Sequence, residues 1–311
     1  GRTGVCYSGE RQGAAAMARL GSTPGDAGGP EASDASGGQT EMTVSFALFV
    51  VAHPAFRQRY DYITRHLAAR SKQTPRLVGI VGRDVLAATP DLPHRASLLP
   101  GELGCALSHL AAYRIMVADS IPQAVVIEDD AALPEDFDDL ARGVLSELRP
   151  GEVISFHSPN QQQNLYSAHG ARRFGQSLLV APMKAQSVRS TLCYAIDLGA
   201  ARGILGGNDP VEFCADDFAA FHARGLVNHL RVLSPSAVDL APFESLIGYR
   251  HTSPVMEHVA RLLNRTPGVR EILRRRRHHL CMSGDRNHVI VPDPSPLMAG
   301  NPAYKELWGL N

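Results

Sequence analysis

A chain of 311 residues, 44% hydrophobic and 20% charged, can bury a large core and is too apolar to be disordered throughout. Its 31 Lys and Arg equal its 31 Asp and Glu, so no global field draws it to nucleic acid or to an anionic membrane, and any electrostatic partner has to be read locally. Five scattered cysteines (Cys6, Cys105, Cys193, Cys214, Cys281) without a C-x-x-C pair argue against a disulfide framework or a zinc cluster and for a reducing compartment. No stretch approaches the roughly 18 apolar residues of a membrane span, and the N-terminus lacks a signal peptide's apolar core. A soluble, cytoplasmic protein is expected.

Residues 1–41 hold ten of the 28 glycines and, among larger aliphatic residues, only Val5, Met17 and Leu20. They are expected to form a disordered extension, or a misplaced start, ending at residue 42. From Val44 the pattern changes. Val44–Ala52 reads as a strand, and Phe56, Tyr60, Ile63 and Leu67 follow at helical spacing. Leu77–Val81 is a second strand and the proline-broken 90–100 a loop. Pro100 and Glu102 open a helix with Leu103, Leu107, Leu110 and Val117 on one face, ending before Pro122. Ala124–Ile127 is a fully apolar strand, and Phe137–Leu148 returns to helical periodicity. Val153–Phe156 is a strand, and the polar stretch from Ser158 to Gly175 reads as a loop. Leu178–Ala181 and Leu192–Ile196 are strands, and Asp197 sits where an N-cap opens the helix Leu198–Leu205. The alternation predicts an α/β domain over 43–250 with a mostly parallel sheet flanked by helices. Residues 251–311 are expected to be a basic helical segment and an irregular tail.

The most informative local feature is Glu128-Asp129-Asp130, directly after the apolar run Ala124–Ile127. In open parallel sheets ligands gather beyond the carboxyl ends of strands. Adjacent carboxylates repel, and a hard divalent cation removes that cost while bridging to phosphates. Helix capping or a solvated loop is the plainer alternative.

The block Leu99-Pro100-Gly101-Glu102-Leu103-Gly104-Cys105-Ala106-Leu107-Ser108-His109, followed by a helix and then Val125-Val126-Ile127-Glu128-Asp129-Asp130, resembles glycosyltransferase family 25. These are the bacterial lipooligosaccharide sugar transferases and their collagen galactosyltransferase relatives. Val50–Ile63 with Arg59 is similar to the family's opening strand and helix, although Ala52-His53-Pro54 stands where a Leu-containing stretch is common. Thr191–Ile196 with Gly199-Ala200, Ala215-Asp216-Asp217-Phe218, Ser234-Pro235 and Ser245–Arg250 are similar to its later segments. The resemblance runs from about Val44 to Arg250.

It implies a GT-A, Rossmann-like nucleotide-sugar-binding fold and an inverting transfer of a hexose, galactose first, from a UDP-sugar to a saccharide or glycolipid acceptor such as a lipopolysaccharide core. It implies Mn²⁺ or Mg²⁺ on Asp130, with Glu128 on metal or ribose and Asp129 in support. Asp216 or Asp217, Asp216 preferred, is the base that deprotonates the acceptor, against the alternative that one of them caps a helix. Ser108, His109 and Arg59 are candidate contacts to the donor, against a buried structural histidine and an exposed helix arginine. Glu102 is a candidate for a backbone hydrogen bond at the helix start, and Gly104 for close backbone approach. The basic segment Arg261–His279 is a candidate contact for anionic headgroups; without aromatics it does not suit nucleic acid. Two other readings are a two-carboxylate glycoside hydrolase and a non-catalytic saccharide-binding relative.

Overall fold

The computed structural model describes residues 45–94, 97–159, 164–243 and 306–307. The expectations for 1–42, for Ser245–Arg250 and for Arg261–His279 lie outside the described residues. Ten strands are described: β1 (Ala47–Val51), β2 (Arg76–Val78), β3 (Gln123–Glu128), β4 (Ala131–Ala132), β5 (Glu152–Ser155), β6 (Tyr166–Phe174), β7 (Ser177–Pro182), β8 (Cys193–Asp197), β9 (His229–Ser234) and β10 (Asp239–Leu240). Six helices go with them: α1 (Arg57–Arg70), α2 (Gly82–Ala88), α3 (Pro100–Ala118), α4 (Phe137–Leu145), α5 (Leu198–Gly207) and α6 (Phe218–Ala223).

Eight strands form one sheet in the order β2-β1-β3-β8-β5-β9-β7-β6. β1 pairs parallel with β2 and β3, and β5 with β9. β8 is antiparallel to both β3 and β5, and β7 is antiparallel to both β9 and β6. Following these pairings across the sheet, six of the eight strands point one way and only β8 and β7 point back. The expected α/β class and the mostly parallel direction are therefore present, with β8 inserted as a reversed central strand.

Period-two alternation splits each strand between two cores. In β3, Ala124 and Val126 face one side, with Leu103, Leu110 and Tyr113 of α3, Ile204 of α5 and Phe218 of α6. Val125 and Ile127 face the other, with Ile63 and Leu67 of α1 and Phe137, Ala141 and Val144 of α4. Helices on both faces explain why β3 reads as an unbroken apolar run, the mark of a strand buried on both sides.

α3 begins as the sequence predicts: Pro100 occupies the first turn, and the Glu102 carboxylate accepts the Leu99 backbone N–H at 2.7 Å. Asp197 caps α5, accepting from Gly199 N at 3.0 Å and Ala200 N at 2.8 Å. Four local differences stand out. The polar stretch expected to be a loop after Ser158 becomes β6 from Tyr166 onward, paired with β7 as a hairpin. It is an edge strand whose residues from Ser167 on are partly or fully exposed, so burial left no apolar alternation to read. β2 is only three residues long, and the chain then enters α2, a seven-residue helix too short for periodicity to reveal. β9 and the two-stranded pair β4–β10 also went unassigned from the sequence.

Across β5 and β9, Arg231 donates from Nε to Glu152 Oε1 at 2.7 Å and from Nη2 to Oε2 at 2.8 Å. Both side chains are almost fully buried, at 4% and 0% exposure, so this bidentate geometry is what makes a buried charge tolerable there.

Candidate functional site

The carboxyl ends of β1, β2 and β3 open into a cleft of about 250 Å³, whose walls include His53, Arg59, Ile80, Cys105, Glu128 and Asp129. Its far side is the start of α3. There two glycines set the spacing: a Cβ on Gly104 would stand 2.6 Å from Gly82 N and 2.7 Å from Ile80 O. Gly104 thus serves close backbone approach, as expected, with the segment after β2 as the partner. Ser108 reinforces the same seam, donating from Oγ to Gly104 O at 2.7 Å and accepting from Ile80 N at 2.8 Å. Its hydroxyl is committed to holding α3 against the cleft wall.

Strand alternation carries past Ile127, so Glu128 turns to the α3 side. Its Oε1 accepts from Thr191 Oγ1 at 2.5 Å, lies 3.2 Å from His109 Nε2, and receives Cys105 Sγ–H at 3.7 Å. His109 is 1% exposed. Its Nδ1 lies 2.7 Å from the Tyr194 hydroxyl, which lies 2.6 Å from that of Tyr113. Both ring nitrogens of His109 therefore serve protein partners, and its direct role is to hold Glu128. Burial works to raise the Glu128 pKa, but the hydrogen bond and charge of His109, the Thr191 hydroxyl and the Arg59 charge together bring it below the ordinary value.

Asp129 and Asp130 meet Arg59, which α1 projects beneath them. Its Nη1 lies 3.0 Å from Asp129 Oδ1, and its Nη2 donates to Asp130 Oδ2. The guanidinium lies 5.6 Å from the centre of the Phe243 ring, and Ala241 N donates to Asp130 O at 2.7 Å, so the chain after β10 closes over this pair. Asp130 Oδ1 is buried without a hydrogen-bond partner, as is Arg59 Nε. Burial, with the neighbouring acids Asp130 and Glu128 and against the opposing Arg59 charge, pushes the Asp129 pKa up to about 6. Asp130 is raised by burial first and by Glu128 next, again against Arg59.

Asp216 and Asp217 separate in role. Asp217 is the N-cap of α6, its Oδ1 accepting from Ala220 N at 3.3 Å. Asp216 is partly buried, and its pKa is raised by burial and then by Glu128, with Arg189 opposing. It also raises the Cys105 thiol pKa, after the larger effects of burial and Glu128. Asp216 is thus close enough to feel the charge of Glu128, which lines the cleft. Thr191 and Tyr194 are the site residues that motif reading did not single out. They lie on or beside β8, in the segment Thr191–Ile196 that the family resemblance covers without giving either residue a role, and nothing in that segment reveals pairing with residues some 60 to 85 positions earlier.

The orphaned Asp130 oxygen beside Asp129 suits a hard divalent cation, whereas the Glu128 carboxylate clusters with Cys105 and His109. Asp129 and Asp130 share one guanidinium, and a buried Asp130 oxygen has no donor, an oxygen-rich, charge-surplus setting of the kind that Mg²⁺ or Mn²⁺ occupies.

Residues 84–219 match the family model described as glycosyltransferase family 25 (LPS biosynthesis protein). The matched segment contains all of α3, the acid triplet, Thr191, Tyr194 and the Asp216-Asp217 pair. The motifs that resemble this family lie largely within the matched segment, and sugar transfer is the activity class the match supports. No curated protein matches the chain. Among solved structures, mannose-1-phosphate geranyltransferase from Thermus thermophilus aligns at 12% identity and a TM-score of 0.30, covering 61% of this chain and 73% of that one. No helix among the described residues is long and apolar enough to cross a membrane.

Proposed function

We propose that this protein transfers a hexose, galactose in the first instance, from a UDP-sugar to a saccharide acceptor such as a lipopolysaccharide core. Asp130 and Glu128 hold Mn²⁺ or Mg²⁺ in a GT-A type site. The observation that carries the reading is the unpartnered Asp130 Oδ1, which follows directly on Glu128 and Asp129, both of which line the β1–β2–β3 cleft. The family match over 84–219 supports the same activity class. A bound divalent cation supplies Lewis acidity toward the leaving diphosphate.

The chain's own residues do the rest. The cleft beside Gly79, Ile80 and the start of α3 takes the nucleotide. Glu128 is held from three directions by His109, Thr191 and Cys105, so its carboxylate is fixed before substrate arrives. Arg59 orients Asp129 and Asp130 and offsets part of their charge. Asp216, as a carboxylate, accepts the proton of the acceptor hydroxyl as that oxygen attacks the anomeric carbon and UDP leaves. A single displacement of this kind inverts the anomeric centre. The reaction takes place on the cytoplasmic side, and the basic segment Arg261–His279 touches anionic headgroups when the acceptor is a glycolipid.

Calorimetry of UDP binding with and without Mn²⁺ tests the assignment. The wild-type chain is expected to bind UDP more tightly with the metal, and Asp130→Asn to lose that coupling because an amide is a weaker, neutral ligand. Equal UDP affinity of the wild type with and without Mn²⁺ would overturn the metal-dependent reading. Turnover of UDP-sugars into free sugar in water, without need of metal or acceptor, would favour a hydrolase.

A further inference from the structure

We propose that Cys105, His109 and Glu128 form a second metal site in the cleft wall, suited to a borderline-soft divalent ion of the Zn²⁺ class, that shares Glu128 with the hard-cation position but does not use Asp130. One donor atom from each residue lies within 4.8 Å of the other two. Cys105 Sγ is 3.7 Å from Glu128 Oε1, and His109 Nε2 is 3.2 Å from the same oxygen. Around a tetrahedral Zn²⁺, with bonds of about 2.3 Å to sulfur and about 2.0 to 2.1 Å to nitrogen and oxygen, sulfur and oxygen stand about 3.5 Å apart and nitrogen and oxygen about 3.3 Å. These two edges match that tetrahedron to about 0.2 Å, and the sulfur–nitrogen edge, within 4.8 Å, closes on an ion through side-chain adjustment.

The chemistry of the donors points the same way. A thiolate with an imidazole prefers Zn²⁺, Co²⁺ or Cd²⁺ to Mg²⁺ or Mn²⁺, which favour all-oxygen sets. On binding, the Cys105 thiol proton passes to solvent and an Sγ–metal bond forms. The Nε2 proton that His109 gives to Glu128 passes to solvent as well, or to Nδ1 where that nitrogen is bare, so Nε2 and Oε1 bind through lone pairs while Nδ1–H donates to the Tyr194 hydroxyl. The outer partners are in place, since Tyr194 meets Nδ1 at 2.7 Å, Tyr113 meets Tyr194 at 2.6 Å, and Thr191 donates to Glu128 at 2.5 Å. Such partners fix ring orientation and ligand basicity. Cys105 and Glu128 both line the cleft, which leaves the fourth position to a water. The lack of a C-x-x-C pair excludes a cysteine-rich cluster and has no bearing on a mixed site assembled from α3 and β3.

Binding of the ion stands on this geometry alone. Its consequence rests on the function proposed above: an ion here takes the Glu128 oxygen away from the donor site, so Zn²⁺ inhibits transfer in the presence of excess Mn²⁺.

The probe is Co²⁺ titrated into the full-length, reduced protein and followed by thiolate-to-cobalt charge-transfer absorption. One equivalent is expected to produce the band, and Zn²⁺ to abolish it. Cys105→Ser should lose the band and weaken Co²⁺ binding by roughly a hundredfold or more, and Tyr194→Phe should keep the band with affinity down by about 10- to 100-fold. Thermal unfolding of each variant shows that it is folded. Asp130→Asn should keep the cobalt band while losing Mn²⁺–UDP coupling, which separates failure of this site from failure of the other. Absence of the band at stoichiometric Co²⁺, its survival in folded Cys105→Ser, or its loss in Cys214→Ser overturns the proposal.

Discussion

Asp216 and Asp217 are neighbours in sequence and do different work. The Asp217 carboxylate is spent on the first turn of α6, whereas Asp216 shares its electrostatic environment with Glu128. On the proposed function Asp216→Asn is expected to abolish sugar transfer while UDP and metal still bind, because a base at this position touches only the acceptor. Asp217→Ala should cost about 1 kcal/mol of stability through the lost cap and leave turnover close to wild type. Measuring donor affinity and transfer rate for both variants decides the matter, and an Asp216→Asn enzyme that transfers at the wild-type rate cannot have lost its base. The pH profile carries the same information. A base works as its carboxylate, and burial beside Glu128 raises the Asp216 pKa. The acid limb of kcat/KM should accordingly lie above the pH at which an ordinary aspartate titrates, with activity falling as pH drops through it. At this scale the sequence showed which residue types were present, and the acid triplet was visible because it directly follows a recognisable strand. It did not show that Ser108 and His109 spend their polar atoms on protein partners, since Ile80, Tyr194 and Glu128 reach them only through tertiary contact.

Between elements, the contact that shapes the cleft is the approach of α3 to the start of α2. Gly104→Ala puts a methyl group 2.6 Å from one backbone nitrogen and 2.7 Å from a carbonyl oxygen, neither of which can rotate away as a side chain would. The expected result is a loss of about 1 to 3 kcal/mol, seen in thermal unfolding, together with weaker UDP binding as α3 shifts off the cleft wall. A variant with unchanged UDP affinity would show that the seam is not part of the nucleotide pocket. The long buried elements were readable from the sequence: α3 through its proline, its capping glutamate and its apolar face, and β3 through its unbroken apolar run. The short or exposed ones were not. α2 spans only seven residues, and β6 lies at the sheet edge, where no core demands alternation.

Over the whole molecule, the sheet divides its labour. β2, β1, β3 and β8 carry the cleft and the acids, while β5, β9, β7 and β6 extend the scaffold beyond them. The Arg231–Glu152 pair pins β5 to β9 in that second half. Arg231→Leu leaves a buried carboxylate without its partner, which costs about 3 to 5 kcal/mol and lowers the melting temperature by roughly 10 °C. Below its transition the variant should keep wild-type affinity for UDP and Mn²⁺, because no site residue lies on β5 or β9. Replacing both members, Glu152→Leu with Arg231→Leu, is expected to recover much of the loss. Reading a strand such as β9 from sequence fails for the same reason that this test works: a buried arginine interrupts the apolar pattern, and its partner lies 79 residues away.

The alternation along β3 also limits how such a protein can diverge. Substitution changes one acid at a time and leaves the others facing as before. A single residue inserted into or deleted from Gln123–Glu128 would turn Glu128 from the α3 side toward α1 and exchange the surroundings of the whole triplet. Descendants of this chain can therefore drift in side chains near the site but not in length. Changes of length have to collect elsewhere, at turns such as Gly175, where nothing lies within 4 Å of an added Cβ.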